Sequence, residues 1–268
     1  MASSRDAVLQ TAELLQEILL QLDLRTLLTT AQLVSRQWHE LITSSPALKQ
    51  ALYFEPIVRP SGPATHNPLL AEVFPPWFPK QTKDEQPDVT KPPKMINRED
   101  FGSLPMAQAS RRHAFMHPDA TWRRMLVQQP PVLRLGRWTA SHAMMGDFHH
   151  FPLQEFPDGL RMGSLYDLAQ DWVRQAVSGF NVFWDPSVAT TYGSTRYGRG
   201  MEPGKKDELE SFASQASVVL FCYMVVQCTE DWPDVQFEEA FTFTPSKEQR
   251  AYWHFLRASE RKLLVAPN

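Results

Sequence analysis

The chain has 268 residues, which is enough for one or two domains with a sizeable buried core. Its formal net charge is −3, so no basic excess points to nucleic acid or to an anionic membrane as a partner. The longest apolar run, residues 218–226, is too short to cross a bilayer. If the two cysteines, Cys222 and Cys228, share a strand, they lie too far apart for a mutual disulfide. Two cysteines of this kind fit the reducing cytoplasm or nucleus.

Apolar residues recur at helical spacing near the N-terminus. Steps of three and four place them on one helix face over residues 8–22 and again over residues 27–42. Asp23 stands between the two runs and is a good N-cap residue, and the serine–serine–proline step at 44–46 announces another helix. We therefore predict an all-α unit of three short helices in residues 1–55. Such a small unit must either dock on the rest of the chain or offer a face to a partner.

The next segment, residues 56–100, is rich in proline. Half of the 22 prolines in the chain stand between positions 56 and 105, and proline removes a backbone donor and breaks helices. The segment is therefore predicted to be a linker, or an irregular wrap against a neighbouring surface. Residues 67–78 carry large apolar side chains and are expected to pack, whereas residues 81–94 are polar and charged and are expected to form a mobile loop.

Residues 101–268 mix short helical patterns with strand-like ones, which predicts an α+β domain with a small, mainly antiparallel sheet. The most regular helical pattern covers residues 164–178, where Ser164 and Asp167 resemble a capping box and Trp172 lies in the apolar stripe. The other predicted elements are a short helix capped by Asp119, strands at 132–141, 180–184, 218–226 and 237–243, and a last helix at 246–263.

No motif in the chain points firmly to catalysis or to a metal. His113 and His117 are four residues apart, but Ala114 stands where a zinc protease needs glutamate, and a second histidine-rich cluster at 142–150 is a weak signal. The glycines of residues 193–200 have the spacing of a phosphate loop without its lysine, so a flexible loop is expected there. We expect no enzymatic activity and no cofactor, and a metal-dependent enzyme domain is kept as a minor alternative.

The N-terminal residues resemble an F-box. The matching pattern is E-L-L-x-x-I-L, a further leucine, a leucine pair, and V-x-R-x-W-x-x-L-I, while Thr11 and Ala12 stand where the common pattern has leucine and proline. The resemblance implies a partner-binding face and its supporting core. The residues that we expect to form them are Leu14, Leu15, Ile18, Leu19, Leu22, Leu27, Leu28, Val34 and Trp38.

F-box proteins bind a small Skp-family adaptor, which links them to a cullin scaffold in a ubiquitin ligase. The resemblance implies the same partners here, with residues 101–268 holding an unknown target protein in the cytoplasm or the nucleus. Three further phrases, at 67–78, 120–131 and 160–168, resemble fungal F-box-like proteins of unknown specificity. Two alternatives stay open: a protein that binds the adaptor without assembling an active ligase, and an ordinary helical bundle whose leucines only form a core.

Overall fold

The computed structural model describes residues 9, 11–57, 62–79, 95–142, 147–173, 178–197 and 204–225. Within them, a small all-helical unit precedes a region of mixed helix and sheet, which confirms the predicted α+β class. The predictions for residues 81–94, 237–243 and 246–263 lie outside the described residues, as does Cys228. The boundaries 1–55, 56–100 and 101–268 stay a prediction.

The helical unit contains more helices than its sequence pattern predicts. Its elements are α1 (Ala12–Leu19), α2 (Leu24–Thr29), a 3-10 turn (Ala31–Leu33), α3 (Arg36–Ser44) and α4 (Pro46–Ala51). Side-chain oxygens of Asp23 and Ser45 cap α2 and α4, as predicted. The predicted second helix is interrupted because the Ser35 hydroxyl accepts a hydrogen bond from the backbone N–H of Trp38 and thereby begins a new helix. The structure therefore has four α-helices in this unit, where the sequence pattern predicts three.

Residues 62–79, in the proline-rich segment, are packed into the fold. Strand β1 (Thr65–His66) pairs with β2 (Gln128–Gln129) in antiparallel orientation. Asn67 then caps α5 (Pro68–Val73) with its side-chain oxygen, while its amide nitrogen donates to the carbonyl of Leu126 at 3.3 Å. A 3-10 turn, Pro75–Trp77, follows. This part of the segment is a wrap against a neighbouring surface rather than a free connection, and residues 67–78 pack as expected.

A four-stranded sheet forms the centre of the α+β region. Its strands are β3 (Arg134–His142), β4 (Asp147–Glu155), β5 (Ser178–Phe183) and β6 (Val218–Val225), in the order β4-β3-β6-β5. The β3–β4 and β5–β6 pairs are antiparallel and the β3–β6 pair is parallel, so the sheet is mainly antiparallel as predicted. Strand β6 lies between two neighbours and is covered on both faces, which explains its unbroken apolar sequence.

Helices cover both faces of the sheet. The remaining α-helices of the described residues are α6 (Ala109–Met116), α7 (Thr121–Arg124), α8 (Met162–Val173), α9 (Pro186–Tyr197) and α10 (Lys205–Gln215). Two 3-10 helices, Arg98–Ser103 and Pro105–Ala107, precede α6. Alternate residues of β6 enter different cores, since Leu220 belongs to the core that includes residues of α8 and α5, whereas Phe221 belongs to the core that includes residues of α9 and α10. The prediction of a loop at 193–200 is wrong for residues 193–197, which are helical.

Two predicted helix starts differ from the structure. Helix α8 begins at Met162, so Ser164 lies inside it, and Asp167 forms an ion pair with Arg123 of α7 instead of completing a capping box. Helix α7 follows Ala120 rather than Asp119 and is only one turn long. In both cases long-range packing outweighs a weak local capping signal. Trp172 is half-buried, and its indole N–H donates to the carbonyl of Tyr223 at 3.0 Å.

Gly159 lies in a turn that only glycine fits well. Its φ is +85°, and a Cβ atom there would lie 2.6 Å from side-chain atoms of both Leu126 and Pro131. We expect Gly159→Ala to lower the free energy of unfolding by about 1–3 kcal/mol. Chemical denaturation measures the loss, with Gly102→Ala as the control because nothing lies within 4 Å of the added methyl group. Equal effects of the two substitutions would contradict the steric argument.

Candidate functional site

The residues predicted for the partner-binding face and its core separate into three groups by exposure. Leu15, Leu19 and Leu27 are buried and belong to the core of the helical unit, together with Ala31, Ile42, Leu48 and Leu52. Leu22, Leu28 and Trp38 are half-buried and pack against that core. The buried three hold the helices together and cannot reach a partner.

The other predicted residues point to solvent. Leu14 and Ile18, one turn apart on α1, are 47% and 40% exposed, and Val34 is 58% exposed. Leu33, which the sequence analysis did not include, is 85% exposed. The sequence signal for Leu33 was its place beside Val34, within the run that was predicted to be helical. We call Leu14, Ile18, Leu33 and Val34 the exposed apolar set.

The exposed apolar set is concentrated in one part of the molecule. Among the described residues, four of the six large apolar side chains with high exposure belong to it, and the other two are Ile57 and Leu133. Single exposed apolar residues are normal on a protein surface, but four within twenty-one positions of one small helical unit favour that unit as the place of a partner contact.

Polar contacts fix the helices that carry the set. The Ser45 hydroxyl donates to the side-chain oxygen of Gln16 at 2.6 Å, which ties α1 to the junction of α3 and α4. The Gln37 amide donates to the carbonyl of Leu9 at 3.2 Å. Hydrogen bonding from the side chain of Thr26 lowers the pKa of the Asp23 carboxyl, so this cap is ionised at neutral pH.

The helical unit is fastened to the α+β region by its last residues. The Leu126 N–H donates to the Tyr53 carbonyl at 2.7 Å, and the Gln129 amide donates to the Glu55 carbonyl at 2.8 Å. Phe54 packs against both the small helical core and the larger core. Tyr53 itself has a φ of 61°, which turns the chain sharply at the end of α4. These contacts set the position of the helical unit on the rest of the protein.

The structure gives less support to the histidine clusters that were considered as metal sites. The rings of His113 and His117 lie 6.4 Å apart, and the Nδ1 atom of His117 accepts a hydrogen bond from the backbone of Asp119. The side chains of the cluster at 142–150 lie outside the described residues. Within the described ranges, no group of three or more histidine, cysteine or acidic side chains is placed to hold a metal ion. No helix of those ranges is long and apolar enough to cross a membrane.

Comparison with known proteins gives one match. Residues 12–55 match the family model described as F-box-like, and this range begins at the first residue of α1 and ends at Glu55, where the unit joins the α+β region. Neither the curated proteins nor the solved structures gave a match. F-box domains are typically non-enzymatic adaptors that bind a Skp-type partner in ubiquitin ligase complexes. The family match supports an F-box protein, with residues 12–55 as its F-box-like domain.

Proposed function

We propose that the chain is the substrate-receptor subunit of a Skp–cullin–F-box ubiquitin ligase. The F-box-like domain binds the Skp-family adaptor, the adaptor brings the cullin, and residues 101–268 hold a target protein. Such a subunit promotes ubiquitin transfer by proximity, because it holds the target at high effective concentration near the ubiquitin-carrying enzyme. We further propose that it acts in the cytoplasm or the nucleus, and the fungal origin implied by the sequence phrases stays a prediction.

The exposed apolar set is the observation that carries this proposal. Full burial of a Leu, Ile or Val side chain is worth about 1.5–3 kcal/mol. The members of the set are 40% to 85% exposed, so covering each of them contributes about 1–2 kcal/mol. Such residues supply the apolar contacts of an interface, to which its rim adds polar contacts. The set lies within the range that matches the F-box-like family. On α1, the buried residues Leu15 and Leu19 pack in the core of the helical unit and so hold Leu14 and Ile18 at its surface.

The double substitution Leu14→Asp with Ile18→Asp tests the proposal. Both side chains are already exposed, so the aspartates are tolerated by the free protein but would be desolvated in a dry interface. We expect the affinity for a purified Skp-family adaptor to fall by at least about 100-fold. Titration calorimetry measures this, and circular dichroism checks that the variant is folded.

The matched control is Ile57→Asp with Leu133→Asp. These are a leucine and an isoleucine of similar exposure, and they lie outside the family match. We expect the control to bind the adaptor as the wild type does. If the wild-type chain does not bind a Skp-family adaptor at micromolar concentration, the proposal is wrong. If it binds the adaptor but never recruits a cullin, it is an adaptor-binding interaction protein without ligase activity.

A further inference from the structure

A groove lies where the F-box-like domain meets the α+β region. It has a volume of about 550 Å³, which is within the usual size range of ligand sites. Leu28, Lys49 and Phe54 line it from the F-box-like domain, while Arg124 lines it from the end of α7 and Arg161 from the residue before α8. The groove thus exists only because the two parts are fastened together.

Positive charge dominates the lining. Lys49, Arg124 and Arg161 face a single carboxylate, that of Glu55, which lies 3.0 Å from the Lys49 ammonium. Within the described part of the chain, neither arginine has a carboxylate within salt-bridge distance. Like charges repel, and a lining with three cationic side chains and one carboxylate keeps a net positive charge that an entering anion would offset.

The two arginines are held in place before any ligand arrives. One terminal nitrogen of Arg161 donates to the carbonyl of Phe54 at 3.2 Å and also to the carbonyl of Arg124. The guanidinium carbon of Arg124 lies 5.6 Å from the centroid of the Phe54 ring. Arginine that is fixed by backbone carbonyls and an aromatic ring loses little side-chain entropy on binding, and its fork of N–H groups fits phosphate in bidentate fashion.

We propose that this groove binds a phosphate monoester. That group carries close to two negative charges at neutral pH and three acceptor oxygens. Two arginines and a lysine match this charge, because the Glu55 carboxylate offsets only one of the three positive charges. The chemistry is shared by a phosphorylated side chain of a peptide and by a small soluble organophosphate. The inference does not depend on adaptor binding, because the test uses the full chain alone.

Titration calorimetry on the wild-type chain uses inorganic phosphate and a pair of short peptides that differ only in serine or phosphoserine. We expect the phosphoserine peptide to bind and the serine peptide not to bind. Affinity well above that of inorganic phosphate identifies a phosphorylated polypeptide as the source, and equal affinity identifies a small organophosphate. Absence of heat and of thermal stabilisation with both phosphate probes at about 10 mM overturns the proposal.

The variant Arg124→Gln removes one guanidinium that is exposed at the surface of the groove. We expect it to weaken phosphoserine-peptide binding by about tenfold or more, since a hydrogen bond to a charged group is lost. Arg111→Gln is the matched control, because it makes the same charge change at an exposed position of α6 outside the groove. Lys49→Gln serves as a second variant. Equal loss in Arg111→Gln would show diffuse electrostatic attraction instead of a site.

Discussion

Replacing Trp77 with alanine should lower the free energy of unfolding by about 3–5 kcal/mol. Trp77 belongs to the proline-rich segment, yet it is fully buried. Its ring stacks on Tyr166 with centroids 5.4 Å apart and lies 5.1 Å from the ring of Phe180 on β5. Alanine would leave a cavity at the meeting point of three elements that cannot all move to fill it. Urea denaturation followed by circular dichroism measures the loss.

Glu72→Ala is the control for this prediction, because it lies in the same segment with its side chain exposed. Its carboxylate is 2.7 Å from the Arg25 guanidinium, but both side chains are more than half exposed, and exposed pairs of this kind contribute about 0–1 kcal/mol. If Trp77→Ala were as mild as Glu72→Ala, residues 67–78 would be a passive connection and their packing against the sheet would not stabilise the fold.

Replacing Asp167 with alanine should cost a similar amount, about 3–5 kcal/mol. The two carboxylate oxygens of Asp167 accept hydrogen bonds from Arg123 at 3.1 and 2.6 Å, and the two side chains are only 15% and 11% exposed. Removal of the carboxylate leaves a guanidinium in a largely dry environment without its anion, and this is the main cost. Thermal and urea unfolding of the variant measure it.

The double variant Arg123→Met with Asp167→Leu distinguishes two contributions to the free energy of unfolding. One is the cost of leaving the Arg123 guanidinium without its carboxylate, and the other is the stabilisation that the ion pair itself provides. Both charges are then absent and the volume is kept, so we expect most of the lost stability to return. A double variant as unstable as Asp167→Ala would mean that the pair itself, rather than the uncompensated guanidinium, is what the fold requires at this point.

Local signals were readable from the sequence where a few neighbouring residues decide the structure. Asp23 and Ser45 cap their helices through atoms three positions away, and residues 218–226 announce a strand buried on both faces by an unbroken apolar run. The F-box resemblance and the α+β class rest on such patterns. The division of the predicted leucines into buried and exposed members also follows from helix geometry, because Leu15 and Leu19 share one face and Leu14 and Ile18 another.

What the sequence could not show depends on pairs that are far apart along the chain. Asp167 was predicted to be part of a capping box, because nothing in its neighbourhood reveals that Arg123 stands opposite. Leu33 ends a 3-10 turn just before Ser35, whose hydroxyl begins a new helix, and the apolar pattern did not reveal this break. The cationic groove joins Lys49 to residues more than seventy positions away, so no local pattern contains it.

The sharp turn at Tyr53 and the hydrogen bonds of the residues beside it leave little freedom of rotation between the two ends of the proposed receptor. In a ligase built on it, the docking pose of the target would decide which of its lysines face the ubiquitin thioester, since the described hydrogen bonds of residues 53 and 55 hold the two parts in one orientation. Loss of these hydrogen bonds, rather than a longer chain after Ile57, would then broaden the choice of lysine, because the bonds are made by residues 53 and 55.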